Sequence, residues 1–246
     1  MNSQRATPMA LPAMKGAWLE DLTWLEARAR FDAGAVVIVP IGAAAKAHGA
    51  HLPLKTDALT ARALGQRLVD RLPVVAAPVV GFGYYPAFTS FAGSQYLGAD
   101  TFKAVMRELI ASFTAHGVGR IALINTGVST EKPLDEVAAE TGALALHMRL
   151  TGQAAEPLIE HREGGHADER ETSVMLALDP RSVRMDRLAP AADFKLSAAT
   201  GNPTAASAFK GERLLAARVD DMVTALVKKW PDLSWDRGPP GPPHES

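Results

Sequence analysis

Val36-Val37-Ile38-Val39-Pro40-Ile41, and the stretch His48-Gly49-Ala50-His51-Leu52-Pro53-Leu54-Lys55-Thr56-Asp57 that follows it, decide the fold class. The first run is short, apolar and rich in β-branched residues, the pattern of a strand buried on both faces. From Asp57 onward Leu59, Ala63, Leu64, Leu68 and Leu72 recur at helical spacing until Pro73, which predicts a helix over 57–72. Residues 74–80 are again β-branched and read as a second buried strand, parallel to the first across that helix. The loop between strand and helix then lies beyond a strand's carboxyl end, where ligands of α/β sheets gather. One histidine there would ordinarily be a hydrogen-bonded structural residue, and Asp57 alone could be a helix N-cap. Two imidazoles and a carboxylate clustered after one strand point to a site instead.

Outward from this unit, strand and helix keep alternating. Thr23-Trp24-Leu25-Glu26 has the spacing of a capping box and predicts a short helix, which Gly34 is placed to stop in a left-handed conformation. Beyond the second strand, residues 81–94 are rich in glycine and aromatics, including Tyr84, Tyr85, Phe88 and Phe91, and could either wall a pocket or tuck those rings beneath a surface loop. A helix is predicted over 99–116 with Phe102, Val105, Met106, Leu109, Ile110 and Phe113 on one face. A strand over 120–125 leads to a second polar loop at 126–130, then a helix over 133–141 and a strand over 143–149. This order predicts an α/β protein with a mostly parallel sheet flanked by helices on both faces. A third polar concentration, residues 161–172, holds His161, Glu163, His166, Asp168, Glu169 and Glu171 ahead of a helix that ends at Asp179-Pro180. Asp168 and Glu169 read first as ordinary acidic complements to a helix N-terminus; His166 lies ahead of that turn. Residues 189–211 look irregular, as a mobile flap, a linker or an oligomer contact, and a last amphipathic helix is expected over 212–230.

With 246 residues, 47% hydrophobic, the chain can build a full core. We expect a flexible segment at 1–16, one domain at 17–235 and a disordered Pro/Gly-rich tail at 236–246. A net charge of −1 gives no electrostatic reason to expect nucleic acid or an anionic membrane as partner. Cysteine is absent, which excludes disulfides, thiolate metal sites and cysteine nucleophiles, so any metal must be held by His, Asp or Glu. The first fifteen residues lack the apolar core of a secretory signal, and no run approaches the roughly 20 apolar residues of a membrane span, so a cytoplasmic protein acting on a small molecule is expected.

The polar loops carry a resemblance. His48-Gly49-x-His51-Leu52-Pro53-Leu54-x-Thr56-Asp57, the Gly83-Tyr84-x-Pro86 to Phe91-x-Gly93 loop, the loop after Ile124-Asn125, and Gly165-His166-Ala167-x-Glu169-x-Glu171-Thr172-Ser173 are similar, in this order, to the creatininase (creatinine amidohydrolase) family across about residues 22–226. The resemblance implies a three-layer α/β sandwich, commonly hexameric, in which two divalent ions, zinc or manganese, activate water against a cyclic amide or related C–N bond. It implies His48 as a ligand of one ion, Asp57 as the carboxylate bridging both, and His166 and Glu171 as proton-transfer or positioning groups near the substrate. Tyr84, Thr126 and Ser129 are candidate substrate contacts.

Three positions depart from the family pattern. Lys46 stands where the family has a glutamate, Gly127 where its second motif has a metal-binding histidine, and Ser129 where an acidic ligand can occur. One ion position would keep only Asp57, too few donors for a divalent cation. The other would keep His48 and Asp57 and could close only by recruiting His51, His166, Glu169 or Glu171. Lys46 is either a solvent-facing loop lysine or a cation that replaces part of the lost metal charge, pairs with Asp57 or stabilises an oxyanion. Three functions follow: an amidohydrolase with one zinc or manganese ion, a metal-free enzyme using Lys46 with His166 and Glu171, and a non-catalytic small-molecule-binding relative.

Overall fold

The computed structural model describes residues 15–233. Of the segment expected to be flexible at 1–16, all but the last two residues lie outside that range, as does the whole tail at 236–246. Five strands, β1 (Ala17–Trp18), β2 (Val37–Ile41), β3 (Val75–Ala76), β4 (Ile121–Asn125) and β5 (Leu144–His147), form a parallel sheet in the order β1-β3-β2-β4-β5. Strand alternation divides the core. Val36, Ile38, Ala122 and Ile124 pack with Leu64 and Leu68 of α2 (Thr56–Arg71), Val174 of α5 (Glu169–Leu178) and Leu214 of α7 (Ala208–Lys229). Val37, Val39, Ile41 and Leu123 pack on the other face with Phe31 of α1 (Trp24–Asp32), Phe102, Met106 and Ile110 of α3 (Ala99–Ala115) and Leu134 and Val137 of α4 (Glu131–Thr141). The expected α/β/α layering is therefore present, because every central strand buries both of its faces.

The connections set where a ligand can enter. From β2 the chain crosses through α2 to β3 on one side; from β3 it returns through α3, on the opposite face, to β4 on the other side of β2. The strand order thus reverses between β2 and β4, and a crevice opens beyond their carboxyl ends, where Ile41 lies opposite Asn125. The loops carrying His48 and Thr126 leave the sheet at this switch point.

Several local expectations hold. The Thr23–Glu26 capping box forms, and Gly34 takes φ +76° beyond α1. Others need correction. The strand expected over 74–80 is regular only at Val75–Ala76, because Pro78 has no N–H to give the ladder, and pairing resumes as a single bridge between Ile41 and Val80. The edge strand β1 was not anticipated. Residues 189–211 are not irregular throughout: they contain α6 (Phe194–Ser197) and β7 (Thr200–Gly201), which pairs antiparallel with β6 (Gly164–His166). Helix α7 starts at Ala208 rather than 212, since the Ser207 side chain caps it by accepting from Lys210 N. Among the described residues, no helix is long and apolar enough to cross a membrane.

Candidate active site

The loop leaving β2 passes so close to the start of α2 that a Cβ on Gly42 would lie 2.3 Å from Asp57 O. This close approach sets Asp57 against the loop, and the Lys46 N–H to Leu54 O bond folds the loop back on itself. Lys46 consequently turns inward and is only 5% exposed. Its Nζ lies 2.6 Å from Asp57 Oδ2 and stands over the rings of Phe88, at 5.0 Å, and Tyr85, at 5.5 Å. A carboxylate and two aromatic faces are what a buried ammonium needs in place of water. Asp57 Oδ1 meets His48 Nε2 at 2.9 Å, while His48 Nδ1–H donates to Lys46 O at 2.8 Å. Burial alone would raise the pKa of the Asp57 carboxyl, but the Lys46 ammonium and then His48 overcome it and hold the group well below the usual carboxylate range. Both nitrogens of His48 face oxygens that accept, so Nε2 must bring Asp57 either a proton or a cation.

His166 reaches the same point from the opposite side. Gly164 and Gly165, at φ +108° and +134°, and Ala167, at φ +51°, bend the chain sharply around it, and Thr200 Oγ1 accepts its backbone N–H at 3.1 Å. Its Nε2–H donates to Ala47 O at 2.8 Å, which leaves the Nδ1 lone pair facing Glu171 Oε2 at 3.6 Å. The ring stacks on His48 and on Phe88, each with centroids 4.6 Å away, and Phe194 of α6 closes over it at 6.4 Å. Burial, then the charges of His48 and Lys46, push its pKa down to about 2, so the imidazole is neutral. Burial moves Glu171 the opposite way and raises its pKa, although Ala167 N–H donates to its Oε2. A neutral base thus lies beside a carboxyl group biased towards keeping a proton.

These groups border a cavity of about 580 Å³ lined by Lys46, Phe88, His166, Glu171 and Phe194, within the range of small-molecule sites. Thr126 and Ser129 line it as expected, but Thr126 Oγ1 donates to Ile41 O at 3.0 Å and so ties the two loops together. Three expected site residues are placed elsewhere. Tyr84 packs against the core beside α3, while the next residue, Tyr85, turns towards Lys46. His51 bonds Thr172 Oγ1 through Nε2 at 2.8 Å and lies outside the His48, His166 and Glu171 group, so it braces the loop against α5. Both oxygens of Glu169 are occupied by the N–H groups of Glu160 and His161 and by Lys210 Nζ at 2.7 Å, which removes it as a metal ligand. Asp168 caps α5, accepting from Arg170 N and Glu171 N. Phe88 belongs to the aromatic loop read as able to wall a pocket, whereas Phe194 and Arg218 were missed as wall residues: Phe194 lies in a segment without period, and Arg218 is one charge among many on an amphipathic helix.

The donors fit a divalent ion. His48, His166 and Glu171 can each offer one donor atom, all within 4.8 Å of one another. Three protein ligands with a fourth position open is the pattern of a catalytic rather than a structural site. Elsewhere in the site Asp57 Oδ2 is in contact with an ammonium, and Gly127 supplies no side chain. A Cβ on Gly127 would lie 2.9 Å from Thr130 Oγ1, so a histidine there would also displace a buried threonine.

The family model for creatinine amidohydrolase matches residues 20–226. A mycofactocin precursor peptide peptidase of Mycobacterium ulcerans is 30% identical over 233 residues, covering 83% of this chain and 87% of that protein. Among solved structures, a manganese creatininase superposes with a TM-score of 0.76 at 24% identity, over 88% of this chain and 100% of its own. A zinc–zinc form of a mutant creatininase gives 0.76 at 25% identity, over 87% and 98%.

Proposed function

The chain belongs to the creatininase family of enzymes, and from that premise we propose that it hydrolyses an amide C–N bond of a small molecule with one zinc or manganese ion rather than two. The observation that carries this reading is the convergence of His48, His166 and Glu171 beside the buried Lys46–Asp57 pair. An ion held by those three donors would polarise the amide carbonyl and make water a better nucleophile. In this reading the Lys46 ammonium supplies fixed positive charge to the oxygen that becomes anionic as the carbonyl is attacked. With its Nε2–H committed to Ala47 O, His166 would offer Nδ1 to the ion and so orient it rather than act as the base. Glu171, with one oxygen on the ion, would take the proton of the attacking water on its other oxygen and pass it to the departing nitrogen. Phe88 and Phe194 keep bulk water away from these transfers. The same reading makes the protein a cytoplasmic homo-oligomer, a hexamer by the family resemblance, without nucleic acid or membrane partners; the near-neutral charge supports the last point.

Metal analysis of protein purified without a histidine tag, beside His48→Ala, tests the proposal. About one equivalent of zinc or manganese, lost in the variant together with amide hydrolysis, is expected. Two equivalents would overturn the single-ion site. The 2.6 Å contact between Lys46 and Asp57 favours one other reading, a metal-free enzyme in which Lys46 is the sole electrophilic group. Hydrolysis that survives chelation, in protein that takes up neither ion, would select it.

A further inference from the structure

Arg218 is a buried cation on the cavity wall without an acidic partner among the described residues; Arg162, also without one, is exposed and donates to Ile159 O at 3.5 Å. Arg170 grips Glu156 through Nε and Nη2, at 2.9 and 2.6 Å, and also pairs with Asp168 at 3.1 Å. Arg149 is held by Glu131 at 2.6 Å, and Lys46 by Asp57. Arg218, on α7, is only 6% exposed, yet among the described residues it has neither a hydrogen bond nor an ion pair, and its Nε is enclosed without an acceptor. Burial pushes its pKa down against the pull of Glu171, Glu156 and Asp168, but a guanidinium starts so high that it stays charged. The fold has nonetheless made a seat for it. The aliphatic stem lies across Gly152, at φ +84°, where a Cβ would stand 2.7 Å from Arg218 Cγ. Asp221, three residues further along α7, fixes this glycine by accepting its N–H at 2.7 Å.

A buried, unpaired guanidinium destabilises a fold, and replacing it with an apolar side chain of similar length would relieve the cost. Its presence in a shaped seat, facing a cavity of about 580 Å³ that also holds His166 and Glu171, points to a partner that arrives from solution. The planar fork of donors matches a carboxylate. We propose that Arg218 anchors a carboxylate of the ligand, so that the substrate is an amide that also carries an acidic group. The proposal rests on reading this cavity as the substrate site. It makes Arg218 a specificity residue, which orients the acid end while the amide lies against the His166–Glu171 end of the same cavity.

N-acetylglycine and N-acetylglycinamide, nearly equal in size and different in charge, are the probes, with binding followed calorimetrically at low ionic strength. Wild-type protein is expected to bind the acid at least tenfold more tightly than the amide. Arg218→Met should abolish that preference, leave the amide's affinity unchanged and keep or raise the melting temperature, since methionine can follow the stem across Gly152 without a charge. Arg218→Lys should retain part of the preference, as a point charge without the fork. Equal affinities in the wild type, or a preference that survives Arg218→Met, would overturn the proposal. A large fall in the melting temperature of Arg218→Met would mark the residue as structural and overturn it too. Neither probe requires turnover, so failure to find metal or hydrolysis would remove the hydrolase reading while leaving the preference for the acid intact.

Discussion

At Lys46 one side chain sets the charge balance of the site. Its ammonium neutralises the buried Asp57, so removing it leaves that carboxylate with His48 alone to compensate its charge. Lys46→Met should therefore cost about 3–5 kcal/mol of stability in urea unfolding at pH 7. The double variant Lys46→Met with Asp57→Asn should regain most of that loss; an unchanged deficit would show that the pair is not what holds the loop. Lys46, His48, Asp57, His166 and Glu171 were all legible in the sequence because the family motif fixes their order, and the structure brings them together. Direction was not legible. Glu169 and Glu171 sit two residues apart on one helix and so cannot face the same side, a spacing argument that already separates them. Tyr84 and Tyr85 are adjacent, yet one packs against the core and the other stands beside Lys46. Arg218 left no sequence signal because burial without a partner is a property of three dimensions.

Helices α5 and α7 carry Glu171 and Arg218, and their crossing determines how far apart the two ends of the cavity lie. A Cβ on Gly211 would stand 2.0 Å from Ser173 O, so the two helix backbones touch there. Gly211 and Arg218 are two helical turns apart on one face of α7. Gly211→Ala should push α7 outward at a cost of about 1–3 kcal/mol, with a melting temperature lower by roughly 2–10 °C. The same variant should weaken N-acetylglycine binding by displacing Arg218, whereas a substitution on the solvent face of α7 should do neither. A melting temperature equal to wild type would refute the close crossing. The long elements were readable because their apolar period is strong: α2 and α3 differ from expectation by about a residue at each end. Short pieces such as β1, β3 and β7, two residues each, have no period to read and exist only through the neighbours that pair with them.

Across the whole molecule, placing a site at the switch point of a doubly covered sheet buries titratable groups, and this makes stability depend on pH in a particular window. His51 is buried against Thr172, and burial, then the charge of His48, lowers its pKa from 6.5 to about 4. Above pH 6.5 it is neutral in both folded and unfolded chains and contributes no penalty. As pH falls below 6.5 the unfolded chain takes up a proton that the folded chain refuses until about pH 4, so stability is lost across that interval. A gap of this size corresponds to about 3 kcal/mol. His166, lowered to about 2, has the same sign and extends the loss further into acid. Asp57, also depressed, adds its share as pH drops below the unfolded carboxylate value near 3.8. Glu171 opposes them: its pKa is raised, so the stability it contributes is present below about pH 4.5 and disappears as pH rises. Three lowered groups against one raised group predict that chelator-treated protein begins to lose stability just below pH 6.5, above the range in which carboxylates alone would act. His51→Asn keeps a polar group facing Thr172 and cannot take up the proton. Its urea midpoint should change less between pH 7 and pH 5 than that of the wild type, by an amount approaching the His51 contribution. Parallel curves for the two proteins would show that His51 is not the origin of the acid sensitivity and would return it to the carboxylates.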